Sequence, residues 1–151
     1  MKTENLVDKS KWANKNGPWM SEPDRAQWID DDTSLHCGIH RNDMGALCGY
    51  VGVDGSSIYY RAHCTSIAAY PHGGLTYCGN NFFMKDDNGN LMEGLWLIGF
   101  DCAHSCDLLP GIGFAYSRAI GNDCADYKDF EFVKGEVKRL ALQLSEGGGD
   151  I

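Results

Sequence analysis

Apolar and polar residues alternate most cleanly over residues 46–53, where Leu47, Gly49, Val51 and Val53 share one face and Cys48 and Tyr50 the other. A period of two predicts a strand. Asp54-Gly55 then reads as a turn, and Ile58-Tyr59-Tyr60 as the start of a shorter strand. Two further short strands are predicted at residues 75–78, stopped by Gly79-Asn80-Asn81, and at 82–84, leading into a hairpin turn over 86–90. The run 95–102 is the most strand-like of all. Beyond Asp126 the period changes: Phe130, Val133, Val137, Leu140, Ala141 and Leu144 recur at three and four. This predicts an amphipathic helix of about five turns, capped by Asp126 with Asp129 three residues later and stopped by Gly147–Gly149. The resulting fold class is α+β, a mainly antiparallel sheet packed by one long C-terminal helix.

The first 34 residues differ. Trp12, Trp19 and Trp28 stand in a polar background too aromatic for a disordered tail. They predict an irregular arm that lays its indoles on the body, with a short helix over residues 23–29. The chain therefore divides into an arm (1–34), a single α+β domain (35–146) and a flexible tail (147–151).

Length and charge narrow the function. A chain of 151 residues suffices for one cored domain. A formal net charge of −8, with acidic runs at Asp30-Asp31-Asp32 and Asp86-Asp87, argues against duplex nucleic acid, which demands clustered Lys and Arg. A single pocket for a small anionic ligand survives that argument, since one arginine (Arg41, Arg61 or Arg118) and a few amides suffice. No apolar run spans a bilayer and no apolar segment follows the N-terminus, which predicts a cytoplasmic protein with no membrane partner. Seven cysteines in a reducing compartment are expected to be free thiols. The polar face of the helix (Lys128, Glu131, Lys134, Glu136, Lys138, Arg139) is expected to be solvated.

The chemistry concentrates in Asp101-Cys102-Ala103-His104-Ser105-Cys106-Asp107, directly after the strongest strand. Buried carboxylates and imidazoles are costly unless paired or metal-bound. If the chain stays extended, Cys102, His104 and Cys106 face one way and suit zinc. If it turns helically, His104 and Asp107 share a face with Asp101 behind, which orients an imidazole as a general base. A third arrangement uses Cys48 or Cys102 as a nucleophile activated by His72 or His104. His72-Gly73-Gly74 brings flexible backbone and an imidazole to a turn, and Arg41 with Tyr50 supplies candidate ligand contacts.

Three segments carry a resemblance: residues 45–53 (GALCGYVGV), 72–77 (HGGLTY) and 99–104 (GFDCAH), the last with Asp107-Leu108 and Pro110-Gly111. In that order, followed by Tyr127-Lys128-Asp129, the chain resembles a widespread family of small uncharacterised bacteriophage and prophage proteins over roughly residues 41–144. The resemblance selects Cys48, Tyr50, His72, Gly73, Gly74, Asp101, Cys102, His104 and Asp107. It leaves out Cys106, on which the zinc arrangement depends, so neither metal nor cofactor is expected. It implies a phage accessory protein in the host cytoplasm. Catalytic candidates are then Cys48, His72, Asp101, Cys102, His104 and Asp107, and ligand contacts Arg41, Tyr50, Gly73 and Gly74. The leading expectation is a counter-defence protein binding a small polar, nucleotide-like ligand. The alternatives are a Cys/His/Asp-dependent hydrolase or transferase, and an acidic protein-protein inhibitor of a host enzyme; the expected partner is the small ligand or a host defence protein.

Overall fold

A computed structural model describes residues 1–12, 14–104, 106–112 and 126–149, with side chains described to residue 146. Its strands are β1 (Lys2–Glu4), β2 (Arg25–Ile29), β3 (His36–Arg41), β4 (Leu47–Val53), β5 (Tyr77–Asn80) and β6 (Trp96–Asp101), followed by helix α1 (Phe130–Gly149). The strands form one antiparallel sheet in the order β1-β2-β3-β4-β6-β5. The protein is α+β, with its long C-terminal helix lying over β4 and β3. No helix among the described residues is long and apolar enough to cross a membrane.

β4 is buried along its whole length, because both faces of the central sheet are covered. On one side Leu47, Val51 and Val53 meet Ile39, Ile98, Phe100 and the helix residues Val133, Val137, Leu140, Ala141 and Leu144. On the other, Cys48 and Tyr50 meet Phe83, Met84, Leu95 and Leu97. Gly49 lets the helix approach: a Cβ there would lie 2.6 Å from both Val137 and the Phe100 ring. The side-chain period of two thus reads directly onto two cores.

Several local expectations are corrected. Residues 25–29 form a strand instead of a helix, because β3 and β1 offer hydrogen-bonding edges on either side. β3 itself was not anticipated; Gly38 and His40 interrupt its apolar pattern and gain their cover from Phe83 across the sheet. Residues 58–60 form turns, closed by Tyr60 and Ala62 amides donating to Ser57 and Tyr59 carbonyls. Phe82 to Met84 are not a strand, because the buried Asn81 side chain captures the Phe83 and Met84 amides and donates to the Met84 and Met92 carbonyls. The turn over 86–90 is present, closed by the Asp86 amide on the Asn90 carbonyl. At the helix start, Asp129 is the residue whose side chain caps, accepting from the Phe132 amide at 2.8 Å. The helical backbone runs through Gly147 and Gly148 to Gly149 instead of stopping before them.

The first 34 residues are tied into the body. They supply β1 and β2, and Trp19 is buried edge-on against Tyr127. The thiols also depart from expectation. Cys64 and Cys78 are joined in a disulfide, and Cys106 is disulfide-bonded as well, while Cys37, Cys48 and Cys102 are free and buried. Cys124 lies outside the described residues.

Candidate functional site

Three segments converge beyond the end of β6. The four-residue turn Pro71-His72-Gly73-Gly74, closed by the Gly74 amide on the Pro71 carbonyl at 2.8 Å, precedes β5. The turn Ala103 to Asp107 follows β6, closed by the Asp107 amide on the His104 carbonyl at 2.9 Å. The lead into α1 lies alongside, joined through Leu108 and Asp126. The chain thus does not stay extended after β6, and Asp107 comes back against His104.

Asp107 is the centre. Its side chain is 1% exposed, and His72 Nε2 lies 3.0 Å from each of its oxygens. His104 approaches twice, its amide donating to Asp107 Oδ2 at 3.0 Å and its ring Nδ1 lying 3.1 Å from the same oxygen. Lys128 Nζ stands 3.3 Å from Oδ1. Burial is the largest influence on the Asp107 carboxyl and pushes its pKa up, but the His104 amide, His72 and the His104 ring together outweigh it and hold it below the ordinary 3.8. The carboxylate stays ionised and orients two imidazoles, which are partly open to solvent at 23% and 35% side-chain exposure. Asp101 stands behind, its Oδ1 3.6 Å from His104 Nε2 and accepting from the Ala103 amide.

Gly73 is required twice over. Its φ is +71°, a region costly for any residue with a Cβ, and a Cβ there would fall 2.1 Å from the His104 ring. The turn therefore sets His72 beside His104, with their ring centroids 5.4 Å apart. Phe132, exposed on the first turn of α1, lies edge-on to His72 at 5.4 Å and beneath the Lys128 ammonium at 5.9 Å.

The other sequence candidates lie elsewhere. Arg41 is no free anion anchor: its side chain is wholly buried, and Nε donates to Asp24, Nη1 to the Gly45 carbonyl and the Tyr127 hydroxyl, and Nη2 to Glu22 and the Pro23 carbonyl. Tyr50 sits on the opposite face of the sheet, edge-on to Tyr77, Phe82 and Phe83. Cys48 shares that face; burial, then the charge of Asp101, pushes its thiol up to about 12. Cys102 is buried in the helix-side core, where burial and then Asp107 raise its pKa further. No hydrogen bond joins either thiol to an imidazole among the described residues, and burial raises both thiols, the reverse of the shift that activation requires. The zinc row of Cys102, His104 and Cys106 is likewise not assembled, since Cys102 packs in the core and Cys106 is disulfide-bonded.

Lys128 and Phe132 escaped the sequence reading. Lys128 was assigned to a solvated helix face, yet it precedes the helix and pairs with the buried Asp107. Lys138 on that same face also binds inward, to Asp30 at 2.6 Å and to Asp32. The acidic run at residues 30–32 is consequently partly neutralised within the molecule.

A cavity of about 630 Å³, lined in part by Trp28, Asp30, Lys134 and Lys138, shares no residue with the imidazole centre. Asp30 and Lys138 pair with each other there, whereas the imidazole centre holds two partly exposed rings on one buried carboxylate. The imidazole centre remains the better candidate. No family model, no curated protein and no solved structure matches the chain.

Proposed function

We propose that this is a phage accessory protein that binds a small polar, nucleotide-like ligand at the solvent-facing side of the His72–Asp107–His104 centre, in the service of countering a host defence. The observation that carries the reading is one buried carboxylate holding two partly exposed imidazoles at 3.0 and 3.1 Å. Imidazoles so oriented present fixed polar edges without the entropy cost of ordering them on binding. Lys128 supplies an ammonium for an anionic group, and Phe132 an exposed ring for stacking, in the places the sequence reading had given to Arg41 and Tyr50. The phage context rests on the resemblance of the three motif segments. The host cytoplasm as place of action requires the Cys64–Cys78 pair to be reduced there, since disulfides persist chiefly in oxidising compartments.

Calorimetry of the full chain against a panel of cyclic and linear nucleotides tests this. One-to-one binding that is lost in His104→Ala and in Lys128→Ala supports it. Absence of binding across the panel and in phage-infected cell extract, or binding indifferent to both substitutions, refutes it.

The enzyme alternative survives in altered form. A carboxylate-oriented imidazole with an exposed ring is the arrangement of a general base acting on water, so hydrolysis would proceed without a cysteine nucleophile. Turnover unaffected by Cys48→Ala and abolished by His72→Ala is the expected pattern.

A further inference from the structure

We infer that His72 Nε2, His104 Nδ1 and the Asp107 carboxylate form a binding site for a divalent transition-metal ion of the zinc class, with at least one coordination position open to the small ligand. This inference deepens the proposed ligand-binding reading and takes its location from it. These three donor atoms lie within 4.8 Å of one another. Two imidazole nitrogens and one carboxylate oxygen are the donor set of open zinc sites, in which water or substrate takes the remaining position.

Two observations point to a cation. His104 is held between carboxylates, with Nδ1 3.1 Å from Asp107 Oδ2 and Nε2 3.6 Å from Asp101 Oδ1. With its ring proton on Nε2, on the Asp101 side, His104 turns the Nδ1 lone pair toward a cation shared with Asp107. Asp101 then stands where an outer carboxylate orients a metal-binding histidine and raises its basicity. The second observation is the arrangement around Asp107. Lys128 approaches Oδ1, His104 reaches Oδ2 with both its amide and its ring, and His72 lies 3.0 Å from each oxygen. Oδ2 is the oxygen on which both imidazoles converge, and the one a shared ion would take. Gly73, with no Cβ to strike the His104 ring, admits the two imidazoles side by side.

The donor set differs from the thiolate row read from the octet, and the buried thiols contribute nothing to it. The probes are Co²⁺, followed by visible absorption, and Zn²⁺, followed by calorimetry, on the chelator-treated full chain. The expected result is one-to-one uptake with d–d bands and no thiolate charge-transfer band. His72→Ala and His104→Ala should each weaken uptake at least about 100-fold, and Asp101→Asn about 10- to 100-fold. Circular dichroism confirms that each variant is folded, and Asp101→Asn, which removes no proposed ligand, stands in if an alanine variant is not. No uptake by the folded wild type, uptake unchanged in these variants, or a thiolate band overturns the inference. Repeating the nucleotide panel with and without metal separates the two readings. Ligand binding by a protein that takes up no metal sinks the metal site alone, whereas metal uptake with no ligand binding sinks the ligand reading alone.

Discussion

Two buried charge clusters in this protein use similar chemistry to opposite ends. Around Arg41 every donor is spent: Asp24, Glu22, Tyr127 and two carbonyls close the guanidinium off, and Asp24 also takes the Leu6 and Val7 amides. Around Asp107 the carboxylate is just as buried, yet its two imidazole partners keep part of their surface in solvent. The first cluster fastens residues 1–34 and the helix lead to the sheet. The second holds reactive groups still while leaving them reachable. A buried ion is thus a sign of function only when its partners have atoms left to offer.

The largest expected effect lies in the closed cluster. Arg41→Ala leaves Asp24 with Lys9 and the Leu6 and Val7 amides but opens all five contacts of the guanidinium, and should destabilise the fold by roughly 3 kcal/mol, read from urea unfolding. A loss under 1 kcal/mol would mean that the network is not the fastening it looks like. By contrast, His104→Ala should cost less than about 1 kcal/mol, because its ring is partly exposed, while removing ligand and metal binding.

Gly73→Ala tests the open cluster from the backbone side. A positive φ and a clash with His104 predict a loss of about 1–3 kcal/mol together with loss of ligand binding. Binding at wild-type strength in this variant would show that the two imidazoles need not be held side by side.

Acid should loosen both clusters. Asp24 and Asp107 have pKa values held below the ordinary 3.8, in each case despite burial, which is the largest single influence and acts upward. Depressed carboxyls contribute stability that is fully present above the unfolded value and lost as pH falls through the folded one. Unfolding free energy should therefore fall with acid below about pH 4, and Asp107→Asn should flatten part of that slope. An unchanged slope in that variant counts against an ionised, tightly held Asp107.

The smallest effect concerns the thiols. With its thiol at about 12, Cys48 should label slowly at neutral pH in the folded protein, and Cys102 more slowly still. Rapid labelling of either would restore the nucleophile mechanism.

Much of the fold could be read from spacing. The alternation in β4 and the three-four period of α1 are statements about neighbouring residues, and both are realised on the faces they imply. β2 and β3 were opaque because their identity rests on each other: Gly38 and His40 look like loop residues until Phe83 covers them. Within the site, Asp101, His104 and Asp107 were legible as an i, i+3 series in one octet, and His72-Gly73 as a turn. Arg41 misled because an arginine beside a strand looks the same whether it meets solvent or partners 17 residues away.

Residue order alone requires a period-two sheet and a period-3.6 helix to pack together, and crowds carboxylates and imidazoles at the end of the strongest strand. Those are local properties, set by backbone geometry and by the cost of burying charge. Which groups meet is a property of the assembled fold. It closed Arg41, joined Cys64 to Cys78, turned Lys128 inward and brought His72 to Asp107 across 35 residues. Such pairings depend on where distant turns fall once the sheet is assembled, and no period along the chain encodes that distance.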